Sequence, residues 1–425
     1  MTNPRYLILA PYFFPYQNPR ARRIMRIIEQ LDKVSSNIDV ICSSRSEKPD
    51  LFSKNVQIYP CGFNSLKERF SNLSGIPQSS SPRKYHSLFL KDTVKKINTL
   101  LLKSFYWPDD SFLWIKPALK KANKLIKEHS YDAIISFSLP YAGALVAEQL
   151  KLGHPNVKWI NDIGDPLAFQ TRNQVNNIFW YESKNRKTEA RILNTADLSI
   201  VTNSGLKKIY QQELNITSNK IEIVGPFNQI GKPITQKTNT QRLRFLYLGS
   251  FYKSLRSPKR LIKFFSEIKR QVTDLNPELH IAGNLSSYDL KILEANDEIK
   301  SMLVIHPFLS KEKTQELIAQ SHFLINLSNK SVHQLPSKCA DYVASCLPII
   351  NIFEEANDVS KNYLESHPLH YNYNSKHTSE NQKESLKNFI QKCKDKTIEE
   401  EKSLNLLRKS NPSYMVSLIQ DLLKQ

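Results

Sequence analysis

The sequence lacks the apolar run of about 20 residues that a membrane-spanning helix requires. Cysteine is scarce, and the five that occur form no CxxC pair, which argues against a disulfide framework and indicates a reducing compartment. No cluster of Cys and His with metal-ligand spacing occurs either. We therefore predict a cytoplasmic protein with no metal site and no bound cofactor.

Acidic residues are too few to balance the basic ones: 40 Asp and Glu face 60 Lys and Arg, for a formal net charge of +20. Such a surplus indicates binding to nucleic acid, to an anionic membrane or to an anionic small ligand, unless the lysines simply solvate the outer faces of helices. No helix-turn-helix signature, RNP motif or zinc finger is present, so we predict no nucleic-acid partner. The charge alone does not distinguish a membrane surface, a small anion and plain solvation of helices.

The 425 residues, of which 40% are hydrophobic, suffice for two domains with separate cores. Short apolar runs alternate with helical stretches, which is the pattern of parallel sheets covered by helices. In the first half we predict strands at Tyr6–Ala10, Ile38–Cys42, Ala133–Phe137, Val157–Ile160 and Leu198–Val201. In the second half we predict them at Phe245–Leu248, Leu279–Ala282, Val304–His306, Phe323–Leu327 and Pro348–Ile352.

Polar stretches interrupt this pattern and predict loops at residues 62–86, 228–241 and 371–385. The second of these would link two domains. We therefore predict an N-terminal domain over 1–230, a C-terminal domain over 240–395, and helices over 396–425 that pack back on the N-terminal domain. In open parallel sheets, ligands bind beyond the carboxyl ends of the strands, which is where the motifs below fall.

The loop after the first strand, from Pro11 to Asn18, contains no glycine and leads into a helix predicted over Ala21–Leu31. Arg20 and Arg23 lie at the start of this helix. Their planar guanidinium groups could meet a phosphate, or they could belong to a solvated basic helix start.

The most informative segment, residues 334–350, predicts a loop, a short helix and a buried strand. Pro336 opens the helix, where its missing N–H costs nothing, and Ser337 follows. A helix start offers free N–H groups and a partial positive charge to a phosphate, and Lys338 adds a full charge. Asp341 could accept hydrogen bonds from the hydroxyls of a sugar. Together these residues predict a nucleotide-sugar site.

This segment closely resembles the donor loop of GT-B glycosyltransferases of the family 4 type. The resemblance rests on Pro-Ser-Lys, a carboxylate and Tyr, and on Pro-Ile-Ile at 348–350. It implies an α/β fold of the GT-B plan, with two Rossmann-like domains facing each other across a cleft. It also implies a retaining, metal-independent transferase of surface polysaccharide synthesis. A sugar would pass from a nucleotide-sugar in the C-terminal domain to a saccharide or lipid-linked acceptor in the N-terminal domain.

A second match follows the first strand of the predicted C-terminal domain. Gly249 would let the backbone approach the donor, with Ser250 beside it. By resemblance, Arg256 and Lys253 would hold the donor diphosphate and stabilise the negative charge that develops as the sugar leaves. A basic surface loop is the alternative. Gly283 matches the family's glycine at the base-binding edge.

Asp165 follows the fourth predicted strand, in a segment that resembles the family's Asp-x-Arg-Asp-Pro-Trp, with Gly164 in place of Arg and Leu167 in place of Trp. A carboxylate at this place could orient an acceptor hydroxyl or take its proton. Alternatively, Asp165 caps the helix that follows. We assign Asp165, Arg256 and Lys253 as the candidate catalytic residues.

The segment Lys91–Trp107 is basic and rich in leucine and aromatic residues. It predicts either a helix that lies on an anionic bilayer or a core helix whose lysines face water. In the first case the protein would dock at the inner face of the cell membrane, where lipid-linked acceptors are held.

A non-catalytic alternative rests on departures from the family pattern. His333 stands where the family has Glu, Asp341 where it has the longer Glu, and Gly164 where it has Arg. Such a protein would be a GT-B partner or scaffold in a polysaccharide assembly complex. It would ignore nucleotide-sugars, which a transferase binds.

Overall fold

The computed structural model describes residues 3–16, 18–44, 46–63, 103–170, 174–229, 242–252 and 255–425. The chain divides into two compact units: the first comprises Met1–Val201, Lys207–Ile223 and Pro412–Gln425, and the second comprises Thr202–Leu206 and Val224–Asn411. The sequence predictions for 64–86, 91–102, 230–241 and Lys253 fall outside the described residues.

The first unit is built on a parallel sheet. Within the described residues its strands are β1 (Arg5–Ala10), β2 (Asn37–Cys42), β3 (Val56–Pro60), β4 (Ala133–Ser138), β5 (Lys158–Ile163), β6 (Leu198–Val201) and β7 (Ile221–Ile223). They lie in the order β3-β2-β1-β4-β5-β6-β7. The central strands are buried on both faces, which explains why the sequence shows apolar runs there and no alternation.

The second unit is built on a separate parallel sheet. Its described strands are β8 (Leu243–Leu248), β9 (Pro277–Ala282), β10 (Leu303–His306), β11 (Phe323–Leu327), β12 (Ile349–Phe353) and β13 (His370–Asn374). Their order is β10-β9-β8-β11-β12-β13. One face packs on a core that includes Phe245, Phe264 and Phe265, and the other packs on a core that includes Leu246 and Tyr342.

Helices cover both sheets. In chain order the described α-helices are Pro19–Leu31, Ile115–Glu128, Ala142–Gly153, Ile178–Thr195, Ser204–Glu213, Pro258–Gln271, Ser287–Glu294, Asp297–Lys300, Lys311–Ala319, Lys338–Ala344, Val359–Leu364, Glu380–Cys393, Glu400–Leu406 and Pro412–Leu423. Pro412–Leu423 belongs to the first unit, where it contacts Pro19–Leu31, whereas Glu400–Leu406 belongs to the second unit.

The first helix shows how local sequence sets an element. It begins at Pro19, two residues before its predicted start, because Asn18 caps it by accepting a hydrogen bond from the Ala21 N–H at 2.7 Å. The apolar residues at helical spacing, Ile24, Ile27, Ile28 and Leu31, are buried as predicted.

The predicted loop over 371–385 is wrong. β13 (His370–Asn374) occupies its start, and the helix Glu380–Cys393 begins within it. The segment is polar because β13 is an edge strand, and its residues other than Tyr373 are only partly buried. The Nδ2 of Asn351 on β12 donates to Oδ1 of Asn372 on β13 at 2.8 Å, so a polar side chain is satisfied within the sheet.

Candidate functional site

The strand order of the second sheet reverses at β8 and β11, which lie side by side. Open sheets of this order bind ligands beyond the carboxyl ends of the two strands at such a reversal. Gly249 and Arg256 follow β8, and the segment Pro336–Asp341 follows β11. The predicted donor residues therefore lie at the edge of the sheet that the topology favours for a ligand.

Two predicted glycines, Gly249 and Gly283, lie against each other. Gly249 has φ of +150°, and its N–H donates to the Ala282 carbonyl oxygen at 2.9 Å. A Cβ at position 283 would lie 2.2 Å from the Gly249 oxygen and 2.7 Å from its carbonyl carbon. Glycine at 283 is therefore required by the close approach of two backbones. The neighbouring Ser250 is held through its carbonyl oxygen, which accepts from the Tyr247 hydroxyl at 3.2 Å.

The short helix Lys338–Ala344 is joined to the end of β8 by Tyr342. The Tyr342 hydroxyl accepts from the Leu248 N–H at 3.0 Å and donates to the Leu248 carbonyl oxygen at 3.3 Å. At the start of the helix, the Cys339 N–H donates to the Pro336 carbonyl oxygen at 3.1 Å, and the Ser337 side chain makes no capping bond. Tyr342 was part of the predicted motif. Its hydrogen bonds to the end of β8 could not be predicted, because they join residues 94 positions apart.

Arg256 brings a positive charge to this site. Its guanidinium carbon lies 5.3 Å from the centre of the Tyr252 ring, and backbone hydrogen bonds of 2.8 and 2.9 Å join the same two residues. Among the described residues, the buried Nε of Arg256 has no hydrogen-bond partner. Lys253, predicted to act with Arg256, lies outside the described residues.

The positive charge of Arg256 affects the pKa values of several groups in the site. Burial raises the pKa of Tyr247 to about 12 and raises the pKa values of Tyr342 and Cys339, and in each case the positive charge of Arg256 acts in the opposite direction. Arg256 therefore lies near both the strand end and the helix Lys338–Ala344. A negatively charged ligand there would meet a preformed positive field.

Asp341 does not present a free oxygen. Its side chain is 1% exposed, one carboxylate oxygen accepts from the Gln229 backbone N–H at 2.6 Å, and the other accepts from Lys338 Nζ at 2.9 Å. The Lys338 side chain is 33% exposed. The carboxylate thus fixes the lysine, which is the more accessible of the pair.

In the first unit, the two arginines of the first helix lie on a buried carboxylate. Arg23 Nε and Nη2 donate to Asp162 at 2.8 and 3.0 Å, and Arg20 Nη1 lies 2.9 Å from the same carboxylate. Burial raises the pKa of Asp162, but the two guanidinium groups outweigh it and lower the pKa. The alternative of a solvated basic helix start is wrong for Arg20 and Arg23, because both side chains are at most 10% exposed.

Asp165 lies just beyond β5, in a loop fixed from two sides. The Tyr141 hydroxyl donates to the Asp165 carbonyl oxygen. Glu189 accepts from the Leu167 N–H at 2.8 Å and from the Ala168 N–H at 2.7 Å. The alternative that Asp165 caps a helix is wrong, because the next helix among the described residues begins at Ile178.

Glu189 was missed in the sequence analysis, although a signal for it exists. On the helix Ile178–Thr195, the buried residues are Asn185, Thr188, Glu189, Ile192 and Leu193. Their spacing defines one core-facing stripe, so a glutamate within it must be buried and needs hydrogen-bond donors.

Two features are absent from the described residues. None of their helices combines the length and apolar character that crossing a bilayer requires. No group of three or more His, Cys, Asp and Glu side chains among them is placed to hold a metal ion.

Comparison with known proteins defines the fold. No family model and no curated protein sequence matches the chain. The solved structure of sucrose-phosphate synthase from Thermosynechococcus elongatus matches with a TM-score of 0.62 at 12% identity, and the lipopolysaccharide outer core galactosyltransferase WaaB matches with 0.60 at 11%, each over 99% of both chains. The chain has the GT-B fold.

The GT-B fold confirms the predicted fold class, whereas the resemblance to family 4 stays a prediction. The N-terminal domain of Candida albicans trehalose-6-phosphate phosphatase is also similar, with a TM-score of 0.61 at 10% identity over 100% of this chain and 97% of that one. Proteins that are named for different reactions are thus similar in fold to this chain. The function has to be argued from the site.

Proposed function

We propose that this protein is a glycosyltransferase that takes a sugar from a nucleotide-sugar bound at the carboxyl ends of β8 and β11. The observation that carries this proposal is Arg256, whose buried Nε lacks a hydrogen-bond partner among the described residues. A buried N–H donor without an acceptor is costly, and a diphosphate would supply charged acceptors to the guanidinium group. Gly249 and Gly283, which approach each other at this edge of the sheet, have no side chains that could obstruct a ligand.

The proposed reaction needs a cation where charge develops. The bond between the anomeric carbon and the diphosphate oxygen breaks, the acceptor oxygen bonds to that carbon with retained configuration, and the diphosphate leaves with an added negative charge. Arg256, Lys253 and Lys338 stabilise that charge without a metal. Asp341 holds Lys338 in place, since neither of its oxygens is free. Asp165 orients the acceptor hydroxyl and receives its proton.

Donor binding is the first test. Scanning calorimetry is done with a panel of nucleoside diphosphates, nucleotide-sugars and the corresponding nucleosides. At about one hundred times the dissociation constant, a ligand adds roughly 2.7 kcal/mol, which raises the melting temperature of a domain of about 150–250 residues by roughly 5–10 °C. We expect this shift with one nucleoside diphosphate and its sugars, and none with the nucleosides. A folded protein that responds to none of them would support the scaffold alternative.

We further propose that the acceptor is saccharide or lipid-linked, belongs to surface polysaccharide synthesis, and is met at an anionic membrane. In the first unit, Phe105, Phe179 and Trp180 are 79%, 88% and 63% exposed. The Asn177 N–H donates to the Lys103 carbonyl oxygen at 2.9 Å, so the two segments that carry these aromatic rings are adjacent. Exposed aromatic residues in a protein of net charge +20 suit the interface of an anionic bilayer.

Removing two of these rings should weaken membrane binding. We expect the Phe179→Ser and Trp180→Ser double variant to lose about 2 kcal/mol of binding free energy, or roughly thirtyfold in partition coefficient, because two apolar side chains no longer enter the bilayer. Sedimentation with phosphatidylglycerol vesicles measures this. Phe308→Ser is the matched control, because Phe308 is 77% exposed but lies in the second unit. Equal binding by all three proteins would contradict a role for the aromatic rings.

A further inference from the structure

Glu189 is a buried carboxylate whose hydrogen bonds go to one loop and one tyrosine. One oxygen accepts from the Leu167 N–H at 2.8 Å and from the Tyr210 hydroxyl at 2.6 Å, and the other accepts from the Ala168 N–H at 2.7 Å. Its exposed fraction is 3%. Placing a carboxylate in a core is unfavourable, and an apolar side chain fills a core helix position at a lower free-energy cost. The hydrogen bonds to the loop are therefore what this carboxylate provides and an apolar side chain would not.

The loop that Glu189 holds carries Asp165. The two N–H groups belong to the second and third residues after Asp165. Pro166, which lies between Asp165 and Leu167, fixes one more backbone dihedral. On the other side, the Tyr141 hydroxyl donates to the Asp165 carbonyl oxygen. The backbone around this carboxylate is thus fixed at the residue itself and just after it. Such ordering removes in advance the entropy that positioning a reacting group would otherwise cost.

We propose that Glu189 is a positioning residue that holds the 165–168 loop, and with it the Asp165 carboxylate, in place for the acceptor. This inference rests on the proposed function in one respect, namely that Asp165 serves an acceptor. Glu189 itself touches neither substrate nor reacting atom. It acts through the two backbone N–H groups, and its effect is confined to the first unit.

The strength of the hydrogen bonds between Glu189 and the loop depends on whether the carboxyl group is ionised. Burial raises its pKa to about 7, against the hydrogen bonds from Tyr210, Ala168 and Leu167 and the positive charge of Arg186. A protonated carboxyl has one oxygen that is a poor acceptor, so protonation weakens one of the bonds to the loop. Tyr141 lies near this group, since the charge of Glu189 raises the pKa of Tyr141, and the charge of Asp165 acts on Tyr141 in the same direction.

The sign of the pH effect follows from the raised pKa. A folded-state pKa above the unfolded value means that the contribution of Glu189 to global stability is present below the unfolded pKa and is lost as pH rises through about 7. Ionised Glu189 therefore lowers the global free energy of unfolding relative to protonated Glu189. It is nevertheless the ionised form that accepts both hydrogen bonds from the loop at full strength. Local order of the 165–168 loop should rise with pH over the range in which the global contribution falls.

The decisive experiment is hydrogen exchange of the Leu167 and Ala168 amides, corrected for the intrinsic pH dependence of exchange. In the unaltered protein we expect protection to fall about tenfold between pH 8 and pH 6. In Glu189→Gln, which cannot offer two acceptor oxygens, protection should be low and independent of pH. Unchanged protection in Glu189→Gln would overturn the proposal.

Tyr210→Phe is the second variant, because it leaves both loop bonds in place and removes less from the core. The Tyr210 hydroxyl lowers the pKa of Glu189, so its loss should move the midpoint of the protection curve to higher pH. This variant keeps the test open if Glu189→Gln does not fold, which tryptophan fluorescence would reveal. A midpoint that stays where it was would contradict control of the loop by Glu189.

Transfer assays separate this inference from the proposed function. We expect Glu189→Gln to lose tenfold or more in kcat/KM for the acceptor, with an unchanged dissociation constant for the nucleotide donor, which binds the second unit. The acid limb of the pH profile near 7 should disappear. Lost protection together with full transfer activity would overturn the positioning role. Lost protection in a chain that never transfers sugar would count against the proposed function and leave the anchoring of the loop supported.

Discussion

Arg256→Ala should fold like the unaltered protein and lose its response to nucleoside diphosphates. Within the described residues its buried Nε makes no hydrogen bond, and the guanidinium group lies over the Tyr252 ring, so we expect its removal to cost mainly that ring contact. Each hydrogen bond to a charged group contributes about 1.5–3 kcal/mol, so the loss of even one such bond lowers affinity by roughly tenfold to a hundredfold. Titration calorimetry with the nucleotide that shifts the melting temperature measures this loss.

Two further variants test whether the loss of affinity depends on the position and geometry of Arg256 or only on removing a positive charge. Arg270→Ala removes the same charge from the same unit, at a side chain that is 63% exposed and pairs with Glu298 on the surface. We expect it to bind the nucleotide normally. Arg256→Lys keeps a charge but loses the planar fork of donors, so it should recover only part of the affinity. If Arg256→Ala bound the nucleotide as tightly as Arg270→Ala, the donor site would lie elsewhere.

Asp162→Asn should destabilise the first unit by about 3–5 kcal/mol, because it leaves two buried guanidinium groups without their carboxylate. Arg20 and Arg23 converge on Asp162 from the first helix, and the side chains are 10%, 8% and 0% exposed, respectively. Asparagine has the same shape, so the effect reports the charge and not a cavity. Arg20 also lies over the Phe137 ring at 5.3 Å, an arrangement that does not replace the lost anion.

The measurement can be confined to the unit concerned. All four tryptophans lie at positions 107, 114, 159 and 180, which belong to the first unit, so urea unfolding followed by tryptophan fluorescence reports that unit. Glu213→Gln is the control, since it breaks the exposed pair with Arg186 and should cost under about 1 kcal/mol. Equal effects of the two substitutions would mean that the buried ion cluster contributes no more than a surface pair.

The sequence predicts the central strands well because burial on both faces leaves an unmistakable apolar run. Leu198–Val201 and Phe323–Leu327 have the same bounds in the prediction and in the structure. The strands that were missed, β3, β7 and β13, lie at sheet edges. An edge strand has one neighbour and partly exposed faces, so its composition approaches that of a loop. β7 is also only three residues long.

The placement of the candidate residues after strands was predictable from the sequence, whereas their contacts with distant residues were not. Residues that come just after a strand, such as Gly249 and Asp165, could be proposed as candidates because strand ends mark the ligand edge of a parallel sheet. The engagement of Asp341 with the Gln229 backbone could not, because nothing in the local pattern indicates which distant N–H a carboxylate will meet. The same holds for the two arginines, whose partner Asp162 lies 139 residues from Arg23.

The contact between Gly249 and Gly283 makes the residue allowed at position 283 depend on the path of the chain after β8. A side chain at 283 would overlap the Gly249 carbonyl group at 2.2 Å, so a mutation there can persist only if the chain after β8 moves as well. That movement would carry Ser250 and the segment toward Arg256 with it. In related chains in which the segment after β8 follows the same path, position 283 should therefore remain glycine. A library meant to alter ligand preference has to vary the loops after β8 and β9 jointly.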